Sequence, residues 1–157
     1  MIGNVREQNY RFRKLLYFMF LLFFQETAAC KFGWLNVNGK CYYFSRDITN
    51  FFTAMSFCNL YGGKLVEIDN WYKYYTIKQL VNERRFPNFW IGLTDLFSEG
   101  AWVTATSMTS PTFAAWMPGE PNNWNNNEHC AVWVNVNNDQ WNDGPCNGAY
   151  NHFVCEQ

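Results

Sequence analysis

Six cysteines, all of them after residue 29, constrain the fold of this 157-residue chain most strongly. They are Cys30, Cys41, Cys58, Cys130, Cys146 and Cys155. An even number of cysteines behind an export signal predicts a framework of disulfides, although their spacing alone is consistent with many pairings. A chain of this length is long enough for one domain with a substantial core.

The first 29 residues have the features of a signal peptide. Four basic residues precede an uninterrupted apolar run over 15–24, and small residues follow up to Ala29. An apolar run of this length is short for a bilayer, which needs about 20 residues. We therefore predict a signal peptide at 1–29, a secreted, extracellular domain at 30–157, and no stable membrane span. A retained signal anchor is the alternative.

Composition and motifs exclude two broad classes of function. The net charge is −1 and only 16% of residues are charged, so no basic field would attract nucleic acid. The two histidines, His129 and His152, belong to no metalloprotease pattern, and the chain has neither a nucleophile elbow nor a phosphate-binding glycine loop. We predict that the protein is not an enzyme.

Hydrophobic periodicity predicts an α+β domain. Helices are expected over 49–61 and from residue 69 or 70 to about 83, with Gly62 and Gly63 ending the first. Asn38-Gly39 predicts a hairpin turn. Strands are expected over 42–44, 64–68, 89–93, 101–103, 113–116, 130–136 and 152–155. The long segment 98–127 has little regular pattern, which is typical of a functional loop.

Two segments, 118–130 and 140–146, collect oxygen ligands without any Lys or Arg. They contain three carboxylates, Glu120, Glu128 and Asp143, among several Asn side chains. Hard oxygen ligands of this kind suit Ca²⁺, which takes six to eight of them in a flexible shell. The sequence therefore predicts a calcium site here.

Three motifs resemble those of the C-type lectin family over nearly all of 30–157. They are Trp90-Ile91-Gly92-Leu93, Glu120-Pro121-Asn122 followed by Glu128 and Cys130, and Trp141-Asn142-Asp143. The resemblance implies two helices packed on short antiparallel sheets, a long calcium-binding loop and a cis Glu120–Pro121 bond. It also implies three disulfides, Cys30–Cys41, Cys58–Cys155 and Cys130–Cys146.

The resemblance implies a Ca²⁺-dependent carbohydrate-binding protein. Its metal ligands would be Glu120, Asn122, Glu128, Asn142 and Asp143, and neighbouring sugar hydroxyls would bind the ion beside Glu120, Asn122, Glu128 and Asn142. The order Glu-Pro-Asn resembles the binders of mannose, N-acetylglucosamine and fucose. Trp124 is expected to contact the sugar, and its position also resembles galactose binders, so galactose remains an alternative.

A second metal site would use Asp95, Glu99 and Asn123. The family usually has acidic residues where this chain has Asn123 and His129, so a second Ca²⁺ would be bound weakly. Family analogy suggests recognition of microbial or cell-surface glycans, as in innate immunity, with oligomers formed through the domain surface if at all. The competing interpretation is an interaction module with the same fold that binds protein, matrix or mineral without sugar specificity.

Overall fold

The structure, a computed structural model, describes residues 13–14, 30–135 and 139–157. The chain divides into a unit that ends at Cys30 and a compact unit over Lys31–Gln157, and the second is described below. The predicted signal peptide, including its apolar run at 15–24, lies outside the described residues. In the part of the chain that is described, no helix is both long and apolar enough to cross a membrane.

Two helices begin at asparagine caps. Helix α1 covers Phe51–Leu60 and helix α2 covers Trp71–Arg84. Asn50 Oδ1 accepts the Thr53 N–H at 2.9 Å, and Asn70 Oδ1 accepts the Lys73 N–H at the same distance. Asparagine satisfies the free N–H groups of a first turn well, which is why α1 begins two residues later than its apolar pattern predicts.

Eight strands in the described ranges form one sheet. They are β1 (Leu35–Val37), β2 (Lys40–Phe44), β3 (Lys64–Leu65), β4 (Phe89–Thr94), β5 (Val103–Thr104), β6 (Cys130–Val134), β7 (Gln140–Gly144) and β8 (His152–Glu156). The main path runs β1-β2-β8-β4-β6-β7, with β3 beside β8 and β5 beside β4. Only β4 and β8 pair in parallel among these, so the predicted α+β class is confirmed with a mixed sheet.

Two strand predictions need correction, and one strand was not predicted. The strand predicted over 64–68 ends at Leu65, because Val66 makes single hydrogen bonds to β8 and to Gly92 instead of a continuing ladder. The predicted strand 113–116 is absent, and only an isolated bridge joins Trp116 to Trp141. Strand β7 was not predicted, because its sequence Gln-Trp-Asn-Asp-Gly is typical of a loop.

The core lies on both faces of β6. Ala131 and Trp133 pack in the cluster that contains the buried face of α2, whereas Cys130 and Val132 pack in the cluster that contains α1. Alternate residues of a strand point to opposite faces, which explains this split. Burial on both faces fixes β6 firmly, and the candidate site is built at the end of this strand.

The disulfides agree with those implied by the resemblance. Cys58 is bonded to Cys155, which links α1 to β8 across 97 residues of sequence. Cys130 is bonded to Cys146 across 16 residues and brackets the end of the ligand loop and β7. Cys30 and Cys41 are also disulfide-bonded, and no free cysteine occurs among the described residues.

Candidate functional site

Two of the predicted ligands, Asn142 and Asp143, lie on strand β7. They pair with Val132 and Ala131 of the buried strand β6, so their backbone positions are fixed by the sheet. The Asp143 side chain is fully buried. Its Oδ1 accepts the N–H of Asn122 at 3.2 Å and its Oδ2 accepts that of Asn123 at 2.7 Å. Asp143 therefore ties the ligand loop to the sheet.

The loop itself folds around asparagines. The Glu120–Pro121 bond is cis, as the resemblance implies. Asn123, Asn125 and Asn126 have positive φ angles of 46°, 56° and 53°, a conformation that asparagine tolerates better than most residues. A short 3-10 turn over Trp124–Asn126 results. The asparagine-rich sequence thus shapes the turn as well as supplying ligands.

Glu128 closes this turn from its far end. Its Oε2 accepts the Trp124 N–H at 3.2 Å, and its own N–H donates to Asn123 Oδ1 at 3.0 Å. Trp124 leaves 68% of its surface exposed to solvent. The indole is therefore available to an external ligand from the rim of the loop.

Two of the three carboxyl groups carry raised pKa values. Burial raises the pKa of Glu120 above its ordinary value of 4.5, and the adjoining Asp143 carboxyl and the charge of Glu128 raise it further, while the Asn122 amide lowers it. Burial also raises the pKa of Glu128, opposed by its hydrogen bond from the Trp124 backbone and assisted by Asp143. The loop therefore holds negative charges close together, and this proximity disfavours the ionised form of the carboxyl groups.

The donor set fits a divalent cation. No Lys, Arg or His within the described ranges forms an ion pair with Glu120, Glu128 or Asp143. Glu120 Oε2 is buried and has no hydrogen-bond partner there. Burying a carboxylate beside other carboxylates, without a positive charge to neutralise it, destabilises the fold. A bound 2+ ion would remove this destabilisation.

The side chain of Asn142 can add an amide oxygen to this donor set. The Asn142 amide donates to the Asp143 carbonyl oxygen. A half-turn of that amide would place Oδ1 beside the carbonyl, and both oxygens could then bind one ion.

A second cluster lies beside the first. Asp95, Glu99 and His129 each offer one ligand atom, and these atoms all lie within 4.8 Å of one another. Asn123 joins them through its Nδ2, which donates to Glu99 Oε2 at 2.6 Å. The structure thus brings together the predicted Asp95, Glu99 and Asn123. Sequence reasoning treated His129 only as the loss of an acid and missed that its ring nitrogen completes the group.

Residues 48–157 match the model of the lectin C-type domain, which is about two thirds of the chain. The chain belongs to the C-type lectin family. It is 30% identical over 128 residues to a perlucin-like protein of Mytilus galloprovincialis, covering 80% of this chain and 81% of that protein. It is 32% identical over 136 residues to a C-type lectin mannose-binding isoform of Notechis scutatus scutatus, covering 83% and 85%.

Solved structures agree on the fold. The human scavenger receptor C-type lectin carbohydrate-recognition domain superposes with a TM-score of 0.73 at 35% identity, covering 82% of this chain and 98% of that domain. A calcium-independent type II antifreeze protein superposes with a TM-score of 0.72 at 26% identity, covering 82% and 94%. Several receptor relatives are much longer, and the chain spans 40% and 45% of two of them.

The family establishes the general character of this chain. C-type lectin domains are binding modules rather than enzymes, they generally bind carbohydrate, and most use Ca²⁺ although some relatives do not.

Proposed function

We propose that the protein is a secreted, Ca²⁺-dependent lectin that binds mannose-type glycans through Glu120, Asn122, Glu128, Asn142 and Asp143. One observation carries the proposal. At the cis proline turn, a buried oxygen of Glu120 has no hydrogen-bond partner among the described residues, and it lies in a group of carboxylates that pairs with no basic residue in those ranges. The disulfides support an extracellular location, where such bonds persist.

The ligand types explain how one ion could also hold a sugar. A carboxylate that binds the metal through one oxygen keeps a second oxygen to accept a hydrogen bond, and an amide that binds through its carbonyl keeps an NH₂ to donate. Two adjacent hydroxyls could bind the ion while each exchanges hydrogen bonds with one such pair. When bound, the ion supplies the direct contact to the sugar oxygens.

The order of residues in the turn favours the mannose type. Glu120 precedes the proline and Asn122 follows it, the arrangement of mannose, N-acetylglucosamine and fucose binders. The mannose-binding isoform among the relatives is consistent with this preference. The exposed Trp124 supports galactose as the alternative, because an aromatic face stacks on the apolar face of a sugar.

A glycan array with the secreted protein tests the proposal directly. We expect retention on mannose-, N-acetylglucosamine- or fucose-terminated glycans in Ca²⁺, complete loss in EDTA, and loss in the Asn142→Ala variant. Replacing His152, which lies away from the loop, by Gln serves as the control and should leave binding unchanged. Binding that persists in EDTA would overturn the calcium requirement.

The proposed link between sugar preference and the order of Glu120 and Asn122 around Pro121 can be tested separately. The double variant Glu120→Gln with Asn122→Asp exchanges the charged and amide groups on the two sides of Pro121 while keeping their size. We expect it to prefer galactose over mannose on the same array, because each sugar hydroxyl then meets the opposite donor and acceptor. An unchanged ranking would contradict the assignment of these two side chains.

A binding module without sugar specificity is the second candidate. The fold is shared with the calcium-independent antifreeze protein, so the fold alone does not decide between the two functions. A protein that binds Ca²⁺ in calorimetry yet retains no glycan on the array would support this second function. Recognition of microbial surfaces remains part of the first proposal and depends on the glycans found.

A further inference from the structure

We propose that Asp95, Glu99 and His129, which lie where the family resemblance implies a second Ca²⁺ site, bind Zn²⁺ instead. This site is separate from the calcium site of the lectin loop and goes beyond the function proposed above. The cluster combines one imidazole nitrogen with two carboxylates. Its position beside the loop would allow a transition metal to be held while the neighbouring group holds calcium and sugar.

The two distances from the His129 ring nitrogen are close to those between ligands of a small tetrahedral ion. His129 Nδ1 lies 3.0 Å from Asp95 Oδ1 and 3.4 Å from Glu99 Oε2. Zinc bound at about 2.0–2.2 Å places neighbouring tetrahedral ligands roughly 3.3–3.6 Å apart. Small side-chain movements would therefore bring all three groups onto one ion.

The chemistry of the donors distinguishes zinc from calcium. Zn²⁺ accepts mixed nitrogen and oxygen ligands, and three protein groups plus one water complete its tetrahedron. Ca²⁺ prefers six to eight oxygens and gains little from an imidazole. Since His129 supplies nitrogen and the cluster offers few oxygens, the site should favour Zn²⁺ over both Ca²⁺ and Mn²⁺.

The ligands are held by other groups, as built metal sites require. Asp95 is only 2% exposed, and its Oδ2 accepts the Gly100 N–H at 2.8 Å, which leaves Oδ1 turned to the imidazole. Asn123 Nδ2 holds Glu99 Oε2 at 2.6 Å. Outer contacts of this kind orient metal ligands and raise affinity.

The backbone also fixes the two halves of the cluster to each other. The Asp95 N–H donates to the His129 carbonyl oxygen, and the His129 N–H donates to that of Gly144, both at 3.2 Å. Asp95 and His129 therefore keep their spacing when the side chains move. Glu99 and His129 remain partly exposed, which gives an ion a path of entry from solvent.

Charge favours a 2+ ion here. The cluster contains two carboxylates, and across the described ranges neither Asp95 nor Glu99 is paired with Lys or Arg. A zinc ion would neutralise the group without adding a net charge. The first site would keep its own ligands, since none of its five proposed residues belongs to the zinc group.

Calorimetry with metal alone tests the inference. Full-length secreted protein is stripped with a chelator, saturated with Ca²⁺ and titrated with ZnCl₂. We expect one equivalent of Zn²⁺ to bind, with at least about 100-fold weaker affinity in His129→Gln, since even the loss of an outer partner typically costs 10–100-fold. The matched control is His152→Gln, which removes the other histidine and should leave zinc affinity unchanged.

Two further variants separate this site from the lectin site. Glu120→Gln should lose calcium-dependent sugar retention while keeping its zinc equivalent, so the two proposals can fail independently. His129→Asp replaces nitrogen by oxygen and should weaken Zn²⁺ while strengthening Ca²⁺ binding. Equal zinc affinity in wild type and His129→Gln, or displacement of the zinc by millimolar Ca²⁺, would overturn the inference.

Discussion

At the scale of single residues, Asp143 combines two roles that sequence motifs do not separate. As a proposed ligand, Asp143 would bind Ca²⁺ together with the other four ligand residues. As a buried acceptor, it binds the backbone N–H groups of Asn122 and Asn123. Asn142 differs, because its amide contacts only the adjacent Asp143 carbonyl among the contacts described. The two neighbours should therefore respond differently to mutation.

We expect Asn142→Ala to abolish sugar binding with little loss of stability in EDTA. Asp143→Ala should abolish binding and also lower the free energy of unfolding by about 1–3 kcal/mol, because two loop N–H groups lose a buried acceptor. Denaturant unfolding in EDTA and retention on a mannose column measure the two effects. Equal stabilities of the two variants would contradict the anchoring role of Asp143.

Glu120 gives a prediction about pH in the metal-free protein. Its folded pKa is raised above the ordinary 4.5, so the ionised form destabilises the fold, and this cost is relieved as the pH falls through the raised pKa. In EDTA at neutral pH, Glu120→Gln should therefore melt at a higher temperature than wild type, and the gap should close on acidification toward pH 4.5.

Calcium should reverse this order. At neutral pH in saturating Ca²⁺ the wild type gains stability from the bound ion, whereas Glu120→Gln has lost a ligand and gains less. On acidification the benefit of calcium should shrink, because protons compete for the carboxylates. Thermal melts of both proteins with and without Ca²⁺ measure all four cases, and a parallel response of the two proteins would contradict the assignment.

At the scale of elements, β7 shows why part of the site escaped sequence reasoning. Its five residues are mostly polar, and no alternation of apolar side chains predicts a strand. Pairing with β6 and burial of Trp141 and Asp143 nevertheless make it one. Helices were easier to predict, because Tyr74, Ile77 and Val81 keep a helical period and all become buried.

The packing around Gly92 explains why the Trp90-Ile91-Gly92-Leu93 motif contains a glycine. A Cβ added there would lie 2.9 Å from the Leu65 carbonyl oxygen, because β3 runs close against β4. We expect Gly92→Ala to destabilise the protein by about 1–3 kcal/mol through overpacking. Gly148→Ala is the control, since its nearest neighbour would be 3.6 Å away. Chemical denaturation of both variants gives the comparison, and equal losses would contradict the steric account.

At the scale of the whole molecule, the fold and the position of the second metal cluster were predictable from the family resemblance, but the part played by His129 was not. The cysteines and the hairpin at Asn38-Gly39 carried signals in the chain itself, and the pairings followed from family resemblance. Residues 95–99 and residue 129 are far apart in sequence, so no local pattern shows that the His129 ring contacts the Asp95 and Glu99 carboxylates. The packed structure shows both contacts.

The Cys58–Cys155 and Cys130–Cys146 disulfides should contribute differently to the stability of the protein and to sugar binding. In the chain-entropy model, closing the 97-residue separation of Cys58–Cys155 contributes about 4–5 kcal/mol, and closing the 16-residue separation of Cys130–Cys146 about 3 kcal/mol. Replacing both cysteines of the first pair by Ala should cost more stability in urea. Replacing the second pair should cost more sugar affinity, since it brackets β7 and the end of the loop.

These variants are compared in two assays. Urea unfolding in EDTA gives the stabilities, and mannoside titration in Ca²⁺ gives the affinities under conditions where each variant is folded. A larger loss of affinity in the Cys58 and Cys155 double variant would contradict the local role of the second disulfide.

The placement of Asn142 and Asp143 on a strand has a consequence for engineering. Two of the five proposed ligand residues belong to the rigid scaffold, whereas Glu120, Asn122 and Glu128 belong to a surface segment that can be altered. A library that varies residues 118–128 but keeps Glu120, Pro121, Asn122 and Glu128 would retain all five proposed cation ligands while presenting new outer surfaces. Ligand preference could then be redesigned as in an antibody, by grafting a loop onto an unchanged frame.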